Sequence, residues 1–206
     1  EGSSEPLEWY VQKFDCTETD VIDADLLEEE APVAAAGTVS MLGISIPIVG
    51  QTVHLQKSTP HYHFAAFTKD LVQDYLEKKN VMLVGHTGCG KTSVINELGA
   101  RIKHGVVRVN MNGQTSIGDF VGMWTVKGGE TVWVDGILPL AMRDGYILII
   151  DEIDFAEPAI LSVLNSVLEP SGKLCLKEKG HELVEPHENF RIFATANTVG
   201  CMSGYR

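Results

Sequence analysis

The sequence has 206 residues, of which 44% are hydrophobic and 21% charged, a composition typical of a globular chain with room for one large α/β domain or two small ones. No apolar run approaches the roughly 20 residues that span a bilayer, and the opening residues Glu1–Pro6 lack the basic and then apolar layout of a signal peptide. We therefore expect a cytoplasmic protein without a membrane partner.

The net charge of −12 is concentrated near the amino terminus. Residues 1–31 contain eleven acidic residues and one basic residue, whereas the rest of the chain contains 17 acidic and 15 basic residues. The near-neutral remainder argues against a generally basic nucleic-acid-binding surface. We expect the acidic leader, with the Ala/Gly linker at 31–37, to be solvated and to be dispensable for ligand binding.

The cysteines and histidines give no metal-binding pattern. The four cysteines are widely spaced and form no Cys-x-x-Cys pair, which argues against a zinc site: Cys16, Cys89, Cys175 and Cys201. In a reducing compartment, disulfides are not expected. His61 and His63 would point the same way in an extended segment, but we favour a loop or packing role over metal binding.

Strand and helix signals alternate along the chain. The stretch Met41–Leu55 is rich in Ile and Val and predicts short strands or a hairpin. Four largely apolar runs predict strands of a parallel sheet: Val81–Val84, Val106–Asn110, Tyr146–Ile150 and Phe190–Thr195. Three stretches predict helices: Phe67–Lys79, Lys91–Ile102 and Glu157–Leu168. Repeated βα units predict a parallel sheet with helices on both faces.

The segment Gly85–Thr92 fits the pattern G-x-x-x-x-G-K-[ST] in full and lies between a predicted strand and a predicted helix. Its glycines let successive backbone N–H groups turn toward phosphates, and the helix amino terminus adds positive potential. We expect Lys91 to contact the β- and γ-phosphates and the Thr92 hydroxyl to ligate Mg²⁺. The expected nucleotide-binding set is Gly85, His86, Thr87, Gly88, Cys89, Gly90, Lys91, Thr92 and Ser93.

Two later strand ends carry polar side chains suited to hydrolysis. Asp151 is expected to hold the Mg²⁺ shell, and Glu152 to orient and deprotonate the attacking water, a base that a kinase does not need. Asn197 is expected to position that water by hydrogen bonding. Asp154 extends the acidic cluster, and the simplest interpretation of it is a helix N-cap.

These motifs and other segments resemble the MoxR clade of AAA+ ATPases, most closely the CobS-type ATPase subunits of aerobic cobaltochelatase. The similarity covers roughly Thr59–Gly200 and includes segments outside the nucleotide motifs: Val107–Asn110, Asp119–Gly122, Asp135–Pro139, Val167–Gly172 and Phe193–Gly200. The resemblance implies a P-loop NTPase fold in which Gly85–Thr92 is Walker A, Asp151–Glu152 is Walker B and Asn197 is sensor 1.

Two β-hairpins match insertions of that clade. One is predicted at Trp124–Trp133 around a Gly-Gly turn, and the other at Lys173–Val184 around Lys177–Gly180. The resemblance implies that such hairpins face a central pore and touch the substrate. The alternative is that they only pack on the surface, with Trp124 and Trp133 forming a cross-strand pair.

We divide the chain into residues 1–58, an acidic leader with a linker and a short β segment, and residues 59–206, an AAA+ core. The relatives continue after the segment matching Val199–Gly200 with an arginine finger, a fifth core strand and a helical lid carrying sensor 2, none of which can be matched here. We therefore expect the strand Val81–Val84 to keep an open edge, and hydrolysis by these residues alone to be slow.

The resemblance implies a ring subunit, by expectation a hexamer, that uses ATP and Mg²⁺ to remodel a partner protein. A von Willebrand-domain partner and a role in metal insertion or metalloenzyme activation fit the clade. One alternative is a DNA-acting motor of the helicase-related clade, with Lys173, Lys177 and Lys179 on phosphates. Another is a nucleotide-dependent scaffold, against which Glu152 argues because a pure binder needs no base.

Overall fold

The computed structural model describes residues 10–13, 21–22, 37–112, 115–169 and 172–197. The strands in these ranges are β1 (Tyr10–Lys13), β2 (Val21–Ile22), β3 (Thr38–Met41), β4 (Ile44–Pro47), β5 (Phe64–Ala65), β6 (Val81–Val84), β7 (Val106–Asn110), β8 (Gly122–Lys127), β9 (Glu130–Asp135), β10 (Ile147–Asp151), β11 (Leu174–Leu176), β12 (Glu182–Val184) and β13 (Arg191–Ala196). The α-helices are α1 (Thr68–Leu76), α2 (Lys91–Ile102), α3 (Ile117–Val121), α4 (Ile137–Asp144) and α5 (Pro158–Leu168).

A five-stranded parallel sheet in the order β1-β6-β13-β10-β7 forms the centre of the fold. Strand β10 is buried along its whole length, as its continuous apolar sequence predicts for a sheet covered on both faces. Successive side chains point to opposite faces, so Leu148 and Ile150 join one hydrophobic cluster and Ile147 and Ile149 the other. The predicted parallel sheet with helices on both faces is confirmed.

The bounds of β6, β7 and α2 are those that the sequence predicts. Helix α1 is shorter than the predicted Phe67–Lys79, because the chain leaves helical geometry after Leu76 and Lys78 adopts a φ of 60°. Helices α3 and α4 flank the first hairpin in the chain.

The expectation of an open edge on β6 is wrong. Strand β1 of the acidic leader pairs with β6 in parallel, from Tyr10 opposite Val81 to Lys13 opposite Val84. An unpaired strand edge offers a row of backbone donors and acceptors, and the leader satisfies this edge. Strand β2 also pairs with β5, so the leader is joined to the rest of the fold at two places. The domain division at residue 58 remains a prediction.

Both predicted hairpins are confirmed. Strands β8 and β9 place Trp124 opposite Trp133, and the two rings meet edge to face with centroids 5.6 Å apart. Strands β11 and β12 form the second hairpin, which is closed by a short 3₁₀ turn. The indole N–H of Trp124 donates to the carbonyl of Glu178 at 3.0 Å, so the two hairpins contact each other. We call the two hairpins together the hairpin unit.

Four charged side chains also join the hairpin unit to α4. Arg143 of α4 pairs with Asp135 at 3.2 Å and with Glu182, while Lys179 pairs with Glu182 at 2.9 Å and with Asp135 at 3.8 Å. Each charge therefore faces two of the opposite sign, a network rather than an isolated surface pair.

A buried histidine links α1, α2 and α4. His104 is fully buried; its Nδ1 accepts a hydrogen bond from the Tyr75 hydroxyl at 2.9 Å, and its Nε2 donates to the Gly145 carbonyl at 2.7 Å. Nε2 must donate because a carbonyl only accepts, and in the neutral ring Nδ1 is then the acceptor for the Tyr75 hydroxyl. Burial lowers the pKa of His104 to about 4.

Deleting residues 1–13 should lower thermal stability and promote self-association, because the edge of β6 is then exposed. We expect the Tm to fall by on the order of 5 °C. Deleting only residues 1–9, which keeps β1, is the matched control. Thermal melts and light scattering at several protein concentrations measure the effect; equal behaviour of the two deletions would show that β1 adds nothing.

The stability of the fold should decrease as the pH falls from about 6.5 to about 4. An unfolded His104 binds a proton with a pKa of about 6.5, whereas the folded pKa is about 4, so the unfolded chain takes up the proton first in this window. The loss amounts to at most about 3 kcal/mol. His104→Gln should be less stable at neutral pH but should show a flatter profile in urea unfolding. His63→Gln, at an exposed position, should keep the wild-type slope.

Candidate functional site

A cavity of about 320 Å³ lies at the carboxyl ends of β7, β10 and β13 and at the start of α2. Its lining comes from four separate stretches of the chain, and apart from two glycines every lining residue has a polar or charged side chain. The lining residues are Thr87, Gly88, Gly90, Lys91, Thr92, Ser93, Arg108, Asn110, Asp151, Glu152, Thr195 and Asn197.

The loop before α2 owes its shape to two glycines. Gly88 and Gly90 have φ values of 85° and 87°, in the left-handed region that side chains disfavour. A Cβ at either position would meet nothing within 4 Å, so backbone conformation rather than space requires glycine here. The N–H of Gly85 donates to the Ala196 carbonyl at 3.2 Å, which ties the start of the loop to β13.

The ammonium group of Lys91 lies inside this loop. It donates to the carbonyls of Gly85 at 2.7 Å and His86 at 2.9 Å, and to the Asn197 side-chain oxygen at 3.2 Å, and the residue is only 7% exposed. These acceptors are all uncharged, so they orient the positive charge without neutralising it. An anion entering the cavity would meet a preformed cationic group.

Asp151 ends β10 as a buried carboxylate that accepts hydrogen bonds from three other elements. Its Oδ1 accepts from the hydroxyls of Thr92 at 2.9 Å and Thr195 at 2.8 Å, and its Oδ2 accepts from Nε of Arg108. The residue is 2% exposed, and a carboxylate this deeply buried needs such compensation.

The next residue, Glu152, turns sharply out of the strand with a φ of 57°. Its backbone N–H donates to the Thr195 hydroxyl at 3.2 Å, and its carboxylate accepts a weak bond from the Asn197 amide at 3.4 Å. A non-glycine residue in this conformation is uncommon and is found preferentially at functional sites. The turn carries the Glu152 carboxylate to the cavity wall next to Asn197.

The interpretation of Asp154 as a helix N-cap is wrong. Asp154 lies inside a short 3₁₀ turn, Ile153–Phe155, and its carboxylate accepts the backbone N–H of Asn197 at 3.0 Å. The acidic side chain therefore fixes the backbone where Asn197 leaves β13. This contact spans 43 positions of sequence, so no local pattern could reveal it.

The structure brings most of the predicted site residues into one cavity: Thr87, Gly88, Gly90, Lys91, Thr92, Ser93, Asp151, Glu152 and Asn197. Gly85 and His86 contribute carbonyl groups that hold Lys91, whereas the thiol of Cys89 lies 3.9 Å from its ammonium nitrogen. The remaining three lining residues were not predicted as site residues: Arg108, Asn110 and Thr195.

A sequence signal for two of these was present in β7. Arg108 and Asn110 are two residues apart, so they point to the same face of the strand, and they interrupt an otherwise apolar run at its carboxyl end. In an open parallel sheet, ligands bind at the carboxyl ends of the strands, so polar residues at that end are candidates for the site.

The described ranges contain no cluster of three or more His, Cys, Asp or Glu side chains that could hold a metal ion by themselves. His61 and His63 are therefore not part of such a cluster, and Tyr62 between them packs against Phe64 with ring centroids 5.0 Å apart. Within the same ranges, every helix is too short or too polar to cross a membrane.

Comparison with known proteins gives a consistent picture. Residues 80–204 match the AAA domain of the dynein-related subfamily. The chain is 38% identical over 153 residues to the aerobic cobaltochelatase subunit CobS of Sinorhizobium sp, covering 66% of this chain and 46% of CobS. It is 35% identical over 117 residues to protein NorQ of Paracoccus denitrificans, covering 57% of this chain and 43% of NorQ.

A third relative covers more of the sequence. The von Willebrand factor A domain-containing protein 8 of Mus musculus is 26% identical over 192 residues, which cover 84% of this chain and 10% of that protein. The chain thus spans less than half the length of each of these three relatives.

Gly90→Ala should impair nucleotide binding beyond its effect on stability. A Cβ at this left-handed position costs about 1–2 kcal/mol and shifts the loop toward conformations that turn its N–H groups away from the cavity. Gly129→Ala is the matched control, since Gly129 has a φ of 86° and equally open surroundings but lies in the turn of the first hairpin. Urea unfolding should give similar losses for both variants, and calorimetric titration with ATP should show weaker binding for Gly90→Ala alone.

Proposed function

This chain belongs to the dynein-related subfamily of AAA ATPase domains, and on that premise we propose that it binds ATP with Mg²⁺ and hydrolyses it. The observation that carries the proposal is the meeting of three distant motifs in one cavity. The segment Gly85–Thr92, which we call the phosphate loop, supplies the buried ammonium group of Lys91. The end of β10 supplies the carboxylates of Asp151 and Glu152, and the end of β13 leads to the side-chain amide of Asn197.

The donor set at the end of β10 fits a hard divalent cation. The Thr92 hydroxyl and the Asp151 carboxylate are both oxygen donors, and they lie 2.9 Å apart at the cavity wall. These two groups would hold Mg²⁺, which when bound neutralises phosphate charge and orients the oxygens of the transferred group. The Thr92 hydroxyl would then exchange its bond to Asp151 for the metal, while Thr195 keeps Asp151 in place.

The remaining polar groups suit the hydrolytic step. Lys91 would exchange carbonyl and amide acceptors for phosphate oxygens, which it can do because none of its present acceptors is charged. Glu152 would take the proton of the attacking water, and Asn197, within 3.4 Å of it, would orient that water. Asp154 and Thr195 would hold these two groups through the backbone.

We further propose that the protein works as a ring, by expectation a hexamer, that remodels a partner protein. CobS is named as a subunit of an aerobic cobaltochelatase, which supports an assembly of several chains and a role in metal insertion. The relative from mouse contains a von Willebrand factor A domain, which supports such a domain in the partner. The hairpin unit exposes Trp124 and Val126 and is the surface that we assign to the partner.

The alternative of a DNA-acting motor receives less support from the charges. Two lysines of the second hairpin are paired with acids, Lys173 with Glu185 at 2.6 Å and Lys179 with Glu182 at 2.9 Å. Paired lysines attract phosphates weakly. The alternative of a scaffold that binds nucleotide without hydrolysing it also receives less support. Such a protein would not need a carboxylate beside Asn197, where the backbone of Glu152 adopts a strained conformation.

Lys91→Ala should abolish ATP binding, whereas Glu152→Gln should retain binding and lose turnover by at least about a hundredfold. The reason is that Lys91 contacts phosphates in the ground state, whereas Glu152 acts on the water. Calorimetric titration with Mg·ATP and phosphate release measure the two effects. Asn197→Ala should lose turnover to a smaller extent.

Lys127→Ala, in the first hairpin, is the control for loss of a lysine outside the cavity. It should bind and hydrolyse ATP as the wild type does. Equal losses of affinity in Lys91→Ala and Glu152→Gln would contradict the assigned roles. Turnover per subunit should increase with protein concentration if the active ring is assembled from several chains.

A further inference from the structure

Arg108 occupies an unusual place beside the carboxylate to which we assign the metal. It extends from β7 into the cavity, and its Nε donates to Oδ2 of Asp151. The Arg108 side chain is 54% exposed, whereas that of Asp151 is 3% exposed. One partner of this ion pair is therefore fixed in the fold, and the other reaches it from the solvent side.

The ion pair with Arg108 compensates the negative charge of the buried Asp151 carboxylate when no metal is bound. The two hydroxyl donors to Asp151 carry no charge, so Arg108 is the group that opposes the carboxylate charge in the described hydrogen bonds. A triphosphate entering the cavity carries several negative charges, and an uncompensated buried carboxylate at the same wall would repel it strongly.

We propose that Arg108 is a placeholder for the divalent cation: it neutralises Asp151 while no metal is bound and leaves Oδ2 when the metal arrives. The inference rests on the proposed function and deepens it by assigning a positioning residue. Arg108 thereby allows nucleotide to bind without metal and sets how strongly the metal adds to nucleotide affinity.

The geometry suits this exchange. The backbone of Arg108 is held in the sheet, where it pairs with Ile149 of β10, so its side chain always starts from the same point. The exposed half of the side chain gives it room to swing without repacking the core. Because Arg108 and the metal compete for one carboxylate, binding of the metal frees the guanidinium to move toward the solvent, to which its side chain is already half exposed.

The test is the affinity for a non-hydrolysable ATP analogue, measured by calorimetric titration in EDTA and in excess Mg²⁺. In Arg108→Gln the dissociation constant in EDTA should rise about tenfold, since the carboxylate is left unopposed. In Mg²⁺ it should change less than about threefold, because the metal then opposes the carboxylate. Arg108→Lys keeps the charge and should stay within about threefold of wild type in both buffers.

A double-substitution cycle separates this role from direct contact with phosphate. In the background of Asp151→Asn no carboxylate charge remains, so adding Arg108→Gln should have little effect in EDTA. Arg143→Gln is the matched control, since Arg143 also forms Nε-to-carboxylate pairing but lies outside the cavity lining. Thermal melts test whether each variant is folded. We expect the Arg108 variants to fold, because the Arg108 side chain is half exposed and is not part of the hydrophobic core.

The outcomes are distinguishable. Equal losses in EDTA and Mg²⁺, or a loss that persists in the Asp151→Asn background, would overturn the proposal in favour of direct phosphate contact. If Arg108→Gln loses no affinity for the nucleotide analogue in either buffer, the ion pair has no role in binding and the proposal is overturned as well. A wild-type chain that binds the analogue in neither buffer would instead refute the proposed function itself.

Discussion

The arrangement of the cavity depends on how the negative charge of one buried carboxylate, that of Asp151, is compensated. Asp151 accepts hydrogen bonds from Thr92 of α2, Thr195 of β13 and Arg108 of β7, three elements that are remote from one another in sequence. Leaving such a group without partners would cost several kcal/mol, so the folded state is strongly biased toward arrangements that bring all three donors together. The phosphate loop, the strand of Asn197 and the strand of Arg108 are thereby positioned by the same requirement.

The parallel sheet makes this convergence possible. Strands that run in the same direction end at the same edge, so residues at corresponding positions become neighbours. Asn110 of β7 lies opposite Asp151 of β10. On the other side of β10, Ile150 pairs with Ala194 of β13, so the next residue of β13, Thr195, lies level with Asp151. The sheet register therefore places Thr195 level with Asp151 and Arg108 on the neighbouring strand opposite Ile149, whereas Thr92 is supplied by α2.

Much of this could be predicted from the sequence, because the informative features are local. The phosphate loop is a contiguous motif between a strand and a helix. The resemblance to the MoxR clade of AAA+ ATPases, which rests on this motif together with segments outside the nucleotide motifs, is confirmed. Strand β1 could not be predicted, since its four residues show no clear periodicity and its partner lies about 70 positions later. The partners of Asp154 and Arg108 are likewise set by tertiary contacts, which a single sequence does not display.

The charge balance of the hairpin unit determines how a partner would approach it. Residues 122–135 and 173–185, with Arg143, contain five acidic and five basic residues, and four of these charges neutralise one another where the two hairpins meet α4. A surface without net charge exerts no long-range attraction, so encounter at this end is governed by diffusion and orientation, with rates typically of about 10⁵–10⁷ M⁻¹s⁻¹ that change little with ionic strength. The acidic leader, by contrast, carries nearly all of the net charge. Electrostatic steering of a cationic partner would therefore originate at the amino terminus, and the exposed apolar side chains of the hairpin unit, such as Trp124 and Val126, would govern how long the encounter lasts.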